Sequence, residues 1–373
     1  MTSAAEIAAG AAVRAAIDPY SPVWIETPIL QPAGLYLELL GEEIRARAFT
    51  LVGADGAELC LRPDMTAPVV RDVLAARPHA EIAAAYDGLV FRRQTRASQR
   101  ETEFRVIGLE RLSPAPLSPE TEGDLIAAAI EAARALGVEP RLKLGDMALA
   151  RALIAGAGLA PAWEARLHRA FARTGDATAV LGEAEAGRGE SGAVGEALAA
   201  LTPERAVGVV EAMLARSGAA MVGGRTTQDV ARRLTEKAAL ARADRPSSEQ
   251  VAAIRAALSV EAAPDDAFAT LARAMPGAGE ALAAASARWR TLAARAGGVE
   301  AVFSAGFGRG PAYYDGFVFE LEAPALGERA SLGGGGRYDD LLHRLGGGVY
   351  DGWSAMGFSL RPKRLADAAG ARP

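Results

Sequence analysis

The chain has 373 residues, half of them hydrophobic and 23% charged, enough for roughly two or three compact units with a real apolar core. A net charge of −5 and a pI near 5.5 argue against a general polyanion binder, and the one cysteine, Cys60, excludes an internal disulfide or a cysteine-rich zinc site. His79, His168 and His343 are scattered, so no histidine-cluster metal site and no cofactor are expected.

The opening "MTSAAEIAAGAAVRAAIDPY" lacks a basic leader and an unbroken apolar stretch, and no run reaches the ~18 apolar residues of a membrane span. A cytosolic protein is expected. Residues 1–112 mix helix and strand signals. "GADG", between Leu51-Val52 and "ELCLRP", predicts a hairpin turn between antiparallel strands. "GLVFRR" and "TEFRVIGLERL" predict a second strand pair, joined by the polar "QTRASQRE". In "SPETEGDLIAAAIEAARALGVEP", Ser118 is placed to cap a helix, Pro119 suits its first position and Gly137 its end. "RLKLGD" reads as a strand and "MALARALIAGAG" as a helix. From about 158 to 296 the sequence is alanine-rich with arginine and glutamate at helical spacing, which predicts helices. Strand texture returns at "GVEAVFSAGF", "YYDGFVFELEA" and "SAMGFSL", the last turning into a helix. Strands on both sides of a helical block predict an α+β fold, one antiparallel sheet assembled from both parts of the chain.

Four stretches carry chemistry. "CLRPDMTAPVVRDVL" puts Arg62, Asp64 and Thr66 in a loop entering a helix; Asp64 suits a ligand's ammonium group, and equally a helix start. "VFRRQTRASQRETEFRVIG" sets Arg92, Arg96 and Arg100 at a sheet's mouth, where arginine holds phosphate or carboxylate, or merely solvates a hairpin. "FGRGPAYYDGFVFELEA" has glycines at 306, 308 and 310, but a strand follows where a dinucleotide site needs a helix. There Arg309, Tyr313 and Tyr314 line a polar pocket, or the tyrosines pack along a strand. In "LGGGGRYDDLL" the glycines allow close backbone approach to a ligand or form a tight turn.

Taken in order, these stretches resemble the catalytic domain of histidyl-tRNA synthetase, a class II aminoacyl-tRNA synthetase. "WIETPIL" resembles motif 1, "LRPDMT" the family's LRPEGT loop and "FRRQTRASQRETEFRVIG" motif 2. "GRGPAYYDGFVFE" resembles the histidine-specific motif, "GGGRYDDLL" the GGRYDGL stretch and "GFSLRPKRL" motif 3. The resemblance implies a synthetase-like antiparallel sheet flanked by helices, built from 1–157 and 297–373, with 158–296 as a mainly helical insertion. It implies a remnant histidine or nucleotide pocket at Asp64, Thr66, Arg92, Gln94, Arg309, Tyr313, Tyr314 and Arg364, with no residue of its own in a catalytic role.

Departures follow the same motifs. Gln94 stands for a glutamate that contacts adenine, Val106 for a glutamine that contacts histidine, and Ala312 for an aspartate. Arg361 stands where motif 3 has a glycine that lets the backbone approach ATP, and is expected to crowd that pocket; Pro362-Lys363 replaces Leu-Glu. The sequence continues nine residues past Arg364, so no anticodon-binding domain and no tRNA are expected. These features together resemble the regulatory subunits of ATP phosphoribosyltransferase. That family implies a non-catalytic, allosteric role in the first step of L-histidine biosynthesis, with feedback by histidine. It also implies a homodimer core within a hetero-oligomer, partnered by a short-form catalytic subunit. The rival expectation is a truncated enzyme that activates histidine or another amino acid with ATP.

Overall fold

The computed structural model of the chain describes residues 3–36, 39, 47–94, 100–174, 177–186, 193–217, 227–308 and 312–371. The first strands are β1 (Val23–Trp24), β2 (Leu30–Pro32), β3 (Phe49–Val52) and β4 (Glu58–Leu61). β5 (Ile82–Phe91), β6 (Glu103–Ser113), β7 (Arg141–Asp146) and β8 (Glu261–Ala262) follow. β9 (Ala301–Ser304), β10 (Phe317–Glu322), β11 (Ser331–Arg337) and β12 (Ser354–Leu360) complete the set among the described residues. A nine-stranded sheet runs β1-β5-β6-β12-β11-β10-β7-β9-β8, and β2-β4-β3 form a small separate one. Pairing is antiparallel except at β1/β5 and β7/β9. Strands from both parts of the chain thus share one sheet, as expected.

Local chemistry sets many of the boundaries. The turn at "GADG" closes with the Gly53 amide donating to Ala57 O at 2.8 Å and Gly56 at φ 80°, a left-handed position that suits glycine. Ser118 accepts from the Thr121 amide to start α-helix Pro119–Arg134, and Gly137 at φ 69° follows its end. Asp146 accepts from the amides of Ala148 and Leu149, turning β7 directly into helix Met147–Ala155.

The four glycines 333–336 form neither a turn nor a loop but lie within β11. A Cβ on Gly335 would fall 1.8 Å from Gly357 O on β12, so only bare backbone lets these two strands pair. Tyr313 and Tyr314 precede β10 rather than run along it.

Alternation along β6 sorts its side chains between two cores. Ile107 and Leu109 face a core shared with helices Ala4–Ile17, Pro119–Arg134 and Pro362–Gly370. Phe104, Val106 and Leu112 face the opposite core, with helix Thr66–Ala75, Tyr313, Tyr314 and Tyr338. Within residues 158–296, helices Ala193–Ala199, Pro203–Ser217 and Thr227–Arg242 hold a small core of their own around Leu198, Ala206, Val210 and Ala231. Helices Pro264–Ala274 and Gly279–Arg295 instead return to the first core through Phe268, Leu271, Trp289 and Leu292, and β8 pairs with β9 at the sheet edge.

Candidate functional site

On the second face of the sheet, period-two alternation brings Phe104, Val106 and Glu110 of β6 beside Gly357 and Ser359 of β12 and Gly334 of β11. Glycines where side chains would otherwise stand leave a concavity of about 40 Å³, room for roughly three ordered waters. Its wall carries Asp64 and Thr66 from the start of helix Thr66–Ala75, Arg92 beyond β5, Tyr313, Tyr314 and Arg361.

Asp64 makes the helix-start contact that the sequence offered and also borders the cavity. Its Oδ1 accepts from the Ala67 amide at 3.1 Å at the helix start, while Oδ2 accepts from the Tyr313 hydroxyl at 3.4 Å on the cavity side. Burial raises its pKa, opposed chiefly by the Arg92 guanidinium. Arg92 donates from Nε to Pro63 O at 2.8 Å, which fixes the far end of β5 against the loop carrying Asp64. The rings of Tyr313 and Tyr314 lie 4.8 Å apart, and Tyr338 meets Tyr313 edge-on at 5.6 Å, a rigid aromatic wall.

Behind this wall lies Glu110, 1% exposed. Thr66 Oγ1 donates to it at 2.7 Å and the Tyr86 hydroxyl at 3.0 Å, both at Oε1, and the Tyr338 hydroxyl donates to Oε2. Burial pushes its pKa up to about 7 against these hydroxyls, which favour the charged form. A Cβ on Gly357 would lie 1.6 Å from Glu110 Oε2, so glycine there is what admits the carboxylate. Sequence reading missed Glu110, Phe104 and Tyr338 as a group; the available signal was an acid at an inward position of an otherwise apolar alternation.

Of the anticipated residues, Asp64, Thr66, Arg92, Tyr313 and Tyr314 come together at the cavity. Gln94 stands apart and braces the hairpin, its Nε2 donating to Glu101 O at 3.1 Å. Arg364, 1% exposed, lies beneath the rim and pairs with Glu101 at 3.3 Å. Arg62 ties the motif 1 segment to the sheet through Leu89 O and Thr27. Arg309 and Arg96 lie outside the described residues.

The sequence model of the histidyl-tRNA synthetase family matches residues 20–243 and 205–365. The ATP phosphoribosyltransferase regulatory subunit of Brucella anthropi is 32% identical over 366 residues, 95% of each chain. That of Rhizobium meliloti is 35% identical over 363 residues, 93% of each. The chain belongs to the ATP phosphoribosyltransferase regulatory subunit family. Its fold is the class II histidyl-tRNA synthetase type. A Bacillus halodurans structure described as an ATP phosphoribosyltransferase regulatory subunit/histidyl-tRNA synthetase superposes with a TM-score of 0.62 at 22% identity, covering 98% of this chain and 79% of that one. A histidine–tRNA ligase subunit from Alicyclobacillus acidocaldarius gives 0.57 at 23%, covering 98% and 93%.

Two of this regulatory-subunit chain's departures from the synthetase pattern meet at the cavity. Val106 lines it without a polar group, and Arg361 closes over the Phe104 ring at 4.3 Å. Among the residues lining it, two arginines face one carboxylate, so its wall carries a net positive charge.

Proposed function

We propose that this chain serves ATP phosphoribosyltransferase, the first step of L-histidine biosynthesis, as a non-catalytic regulatory subunit that switches a short-form catalytic subunit and conveys feedback by histidine. Whole-length similarity to proteins bearing that name supports the role. The observation that carries the ligand reading is the pairing of a buried carboxylate with two arginines around one small cavity, which suits a zwitterion. The ligand's ammonium meets Asp64 and the Thr66 hydroxyl, and its carboxylate meets Arg92. The chain itself neither activates an amino acid nor handles tRNA, and it works in the cytoplasm. None of the described helices is long and apolar enough to cross a membrane.

The core assembly is a homodimer. Val23, Trp24, Ile29, Leu30, Leu51 and Val52, from β1, the motif 1 segment and the small sheet, are exposed apolar side chains of the kind a second copy covers.

Reconstitution tests the reading. A short-form catalytic subunit from the same source should turn over only with this chain present, and histidine should suppress that turnover. Histidine-dependent ATP–pyrophosphate exchange by the chain alone would replace this reading with the amino-acid-activating enzyme.

A further inference from the structure

Helix Asp339–Gly346 starts without a cap of its own. Its N-cap position holds Tyr338, which makes no side-chain cap hydrogen bond and donates its hydroxyl to Glu110 instead. Asp339 is engaged elsewhere, its carboxylate accepting from Arg337 Nε and from the Ala355 amide, both at 2.8 Å. The acceptor comes from 25 positions earlier, where Asp315 Oδ2 takes the Asp340 amide at 2.7 Å. The Asp315 amide in turn donates to Arg337 O at 3.1 Å. These two bonds straddle Tyr338.

Asp315 directly follows Tyr313 and Tyr314, so one residue joins the segments that carry all three rings of the aromatic wall. Its own segment is anchored independently of its carboxylate. Arg151 donates to Asp315 O, and Gly316 O accepts from the Met147 amide at 2.9 Å. Tyr338 is set back from the lining residues and packs edge-on against Tyr313, whose hydroxyl donates to Asp64 on the cavity side.

We propose that Asp315 is the positioning residue of this site: by capping helix Asp339–Gly346 from a distant segment, it seats Tyr338 behind Tyr313 and keeps the Asp64 carboxylate turned toward a ligand's ammonium group. The inference rests on the histidine-binding reading and deepens it. Asp315 touches no ligand. It acts through the helix start, then the two rings, then the hydrogen bond from Tyr313.

The test is calorimetric titration of the chain with histidine at pH 8, above the value of about 6 to which burial raises the Asp315 carboxyl. Asp315→Ala should bind histidine at least about fivefold more weakly than wild type. Asp315→Asn, whose side-chain oxygen still accepts from the amide, should stay within about twofold. Asp340→Pro deletes the donated amide in the first helical turn, where proline is tolerated, and should lose as much as Asp315→Ala; it serves if that variant folds poorly. Ser118→Ala removes the cap of helix Pro119–Arg134 and should leave histidine affinity unchanged. Hydrogen exchange gives a readout that needs no ligand: amides of residues 338–346 should exchange faster in Asp315→Ala and at the wild-type rate in Asp315→Asn. Unchanged affinity in folded Asp315→Ala overturns the proposal, as does an equal loss in Asp315→Asn or Ser118→Ala. Failure of wild type to bind histidine counts against the ligand reading; exchange then decides the seating of Tyr338 alone, and unaltered exchange in Asp315→Ala overturns it.

Discussion

Replacing Glu110 by glutamine should make the protein more stable above neutral pH. The carboxyl is buried and accepts from Thr66, Tyr86 and Tyr338, and its pKa rises from 4.5 to about 7 on folding. The folded state then holds the proton more tightly than the unfolded chain. Between pH 4.5 and about 7 it binds more protons, so stability falls as pH rises. This group's contribution is full below pH 4.5 and lost as pH climbs through about 7. At about 1.4 kcal/mol per pH unit, the rise amounts to ~3 kcal/mol.

Glutamine keeps the shape and cannot ionise. Its oxygen can accept from Thr66 and Tyr86, and its amide can donate to a turned Tyr338 hydroxyl, at a local cost of about 1 kcal/mol. Urea unfolding of both proteins across pH 4.5–8.5 measures the difference. The two should be close near pH 5, with the variant ahead by about 2 kcal/mol at pH 8. Subtracting one curve from the other removes Glu122 and Asp315, whose pKa values are also raised. A difference that stays constant with pH, or wild type gaining on the variant as pH rises, would refute the assignment.

Asp64→Asn should weaken histidine binding at least about tenfold by calorimetry, because the neutral amide no longer attracts an ammonium group. Gly357→Ala puts a Cβ into Glu110 Oε2 and should cost about 3 kcal/mol or more in urea unfolding; adding Glu110→Ala should recover part of that loss. Asp87 accepts from Arg105 at 2.6 Å and from Arg14 at 2.5 Å, and those two hydrogen bonds hold its carboxyl below its ordinary 3.8 despite burial. Its stabilisation is present above pH 3.8 and is lost as pH falls through the lowered folded value. Asp87→Asn should therefore cost about 1–2 kcal/mol at pH 7 and less at pH 3, measured by urea unfolding at both.

How much the sequence disclosed depended on how far each residue reaches. Ser118 capping Thr121 and Asp146 capping Leu149 act over three residues, and their turn chemistry is written locally. The β3–β4 hairpin is equally local. The strand pairing of β11 was hidden because four glycines carry no apolar alternation; their reason for being lies in β12. Glu110 was hidden because its donors sit 24, 44 and 228 positions away, so only the fold reveals a carboxylate encircled by hydroxyls. The family pattern brought Asp64, Thr66, Arg92 and the tyrosines into view together. It also nominated Gln94 and Arg364, which in the fold meet Glu101 rather than the cavity. A pattern records which positions matter, not which way a side chain turns after its neighbours have changed.

Arg361 belongs to two structures at once. It is a wall of the cavity and the N-cap of helix Pro362–Gly370, whose Leu365 is buried in the opposite core, alongside Val13 and Ile17 of the helix Ala4–Ile17. Three residues further on, Arg364 holds Glu101 at the root of the β5–β6 hairpin. A molecule that pushes the Arg361 side chain therefore presses on an axle that passes from one side of the sheet to the other, with the hairpin geared to it.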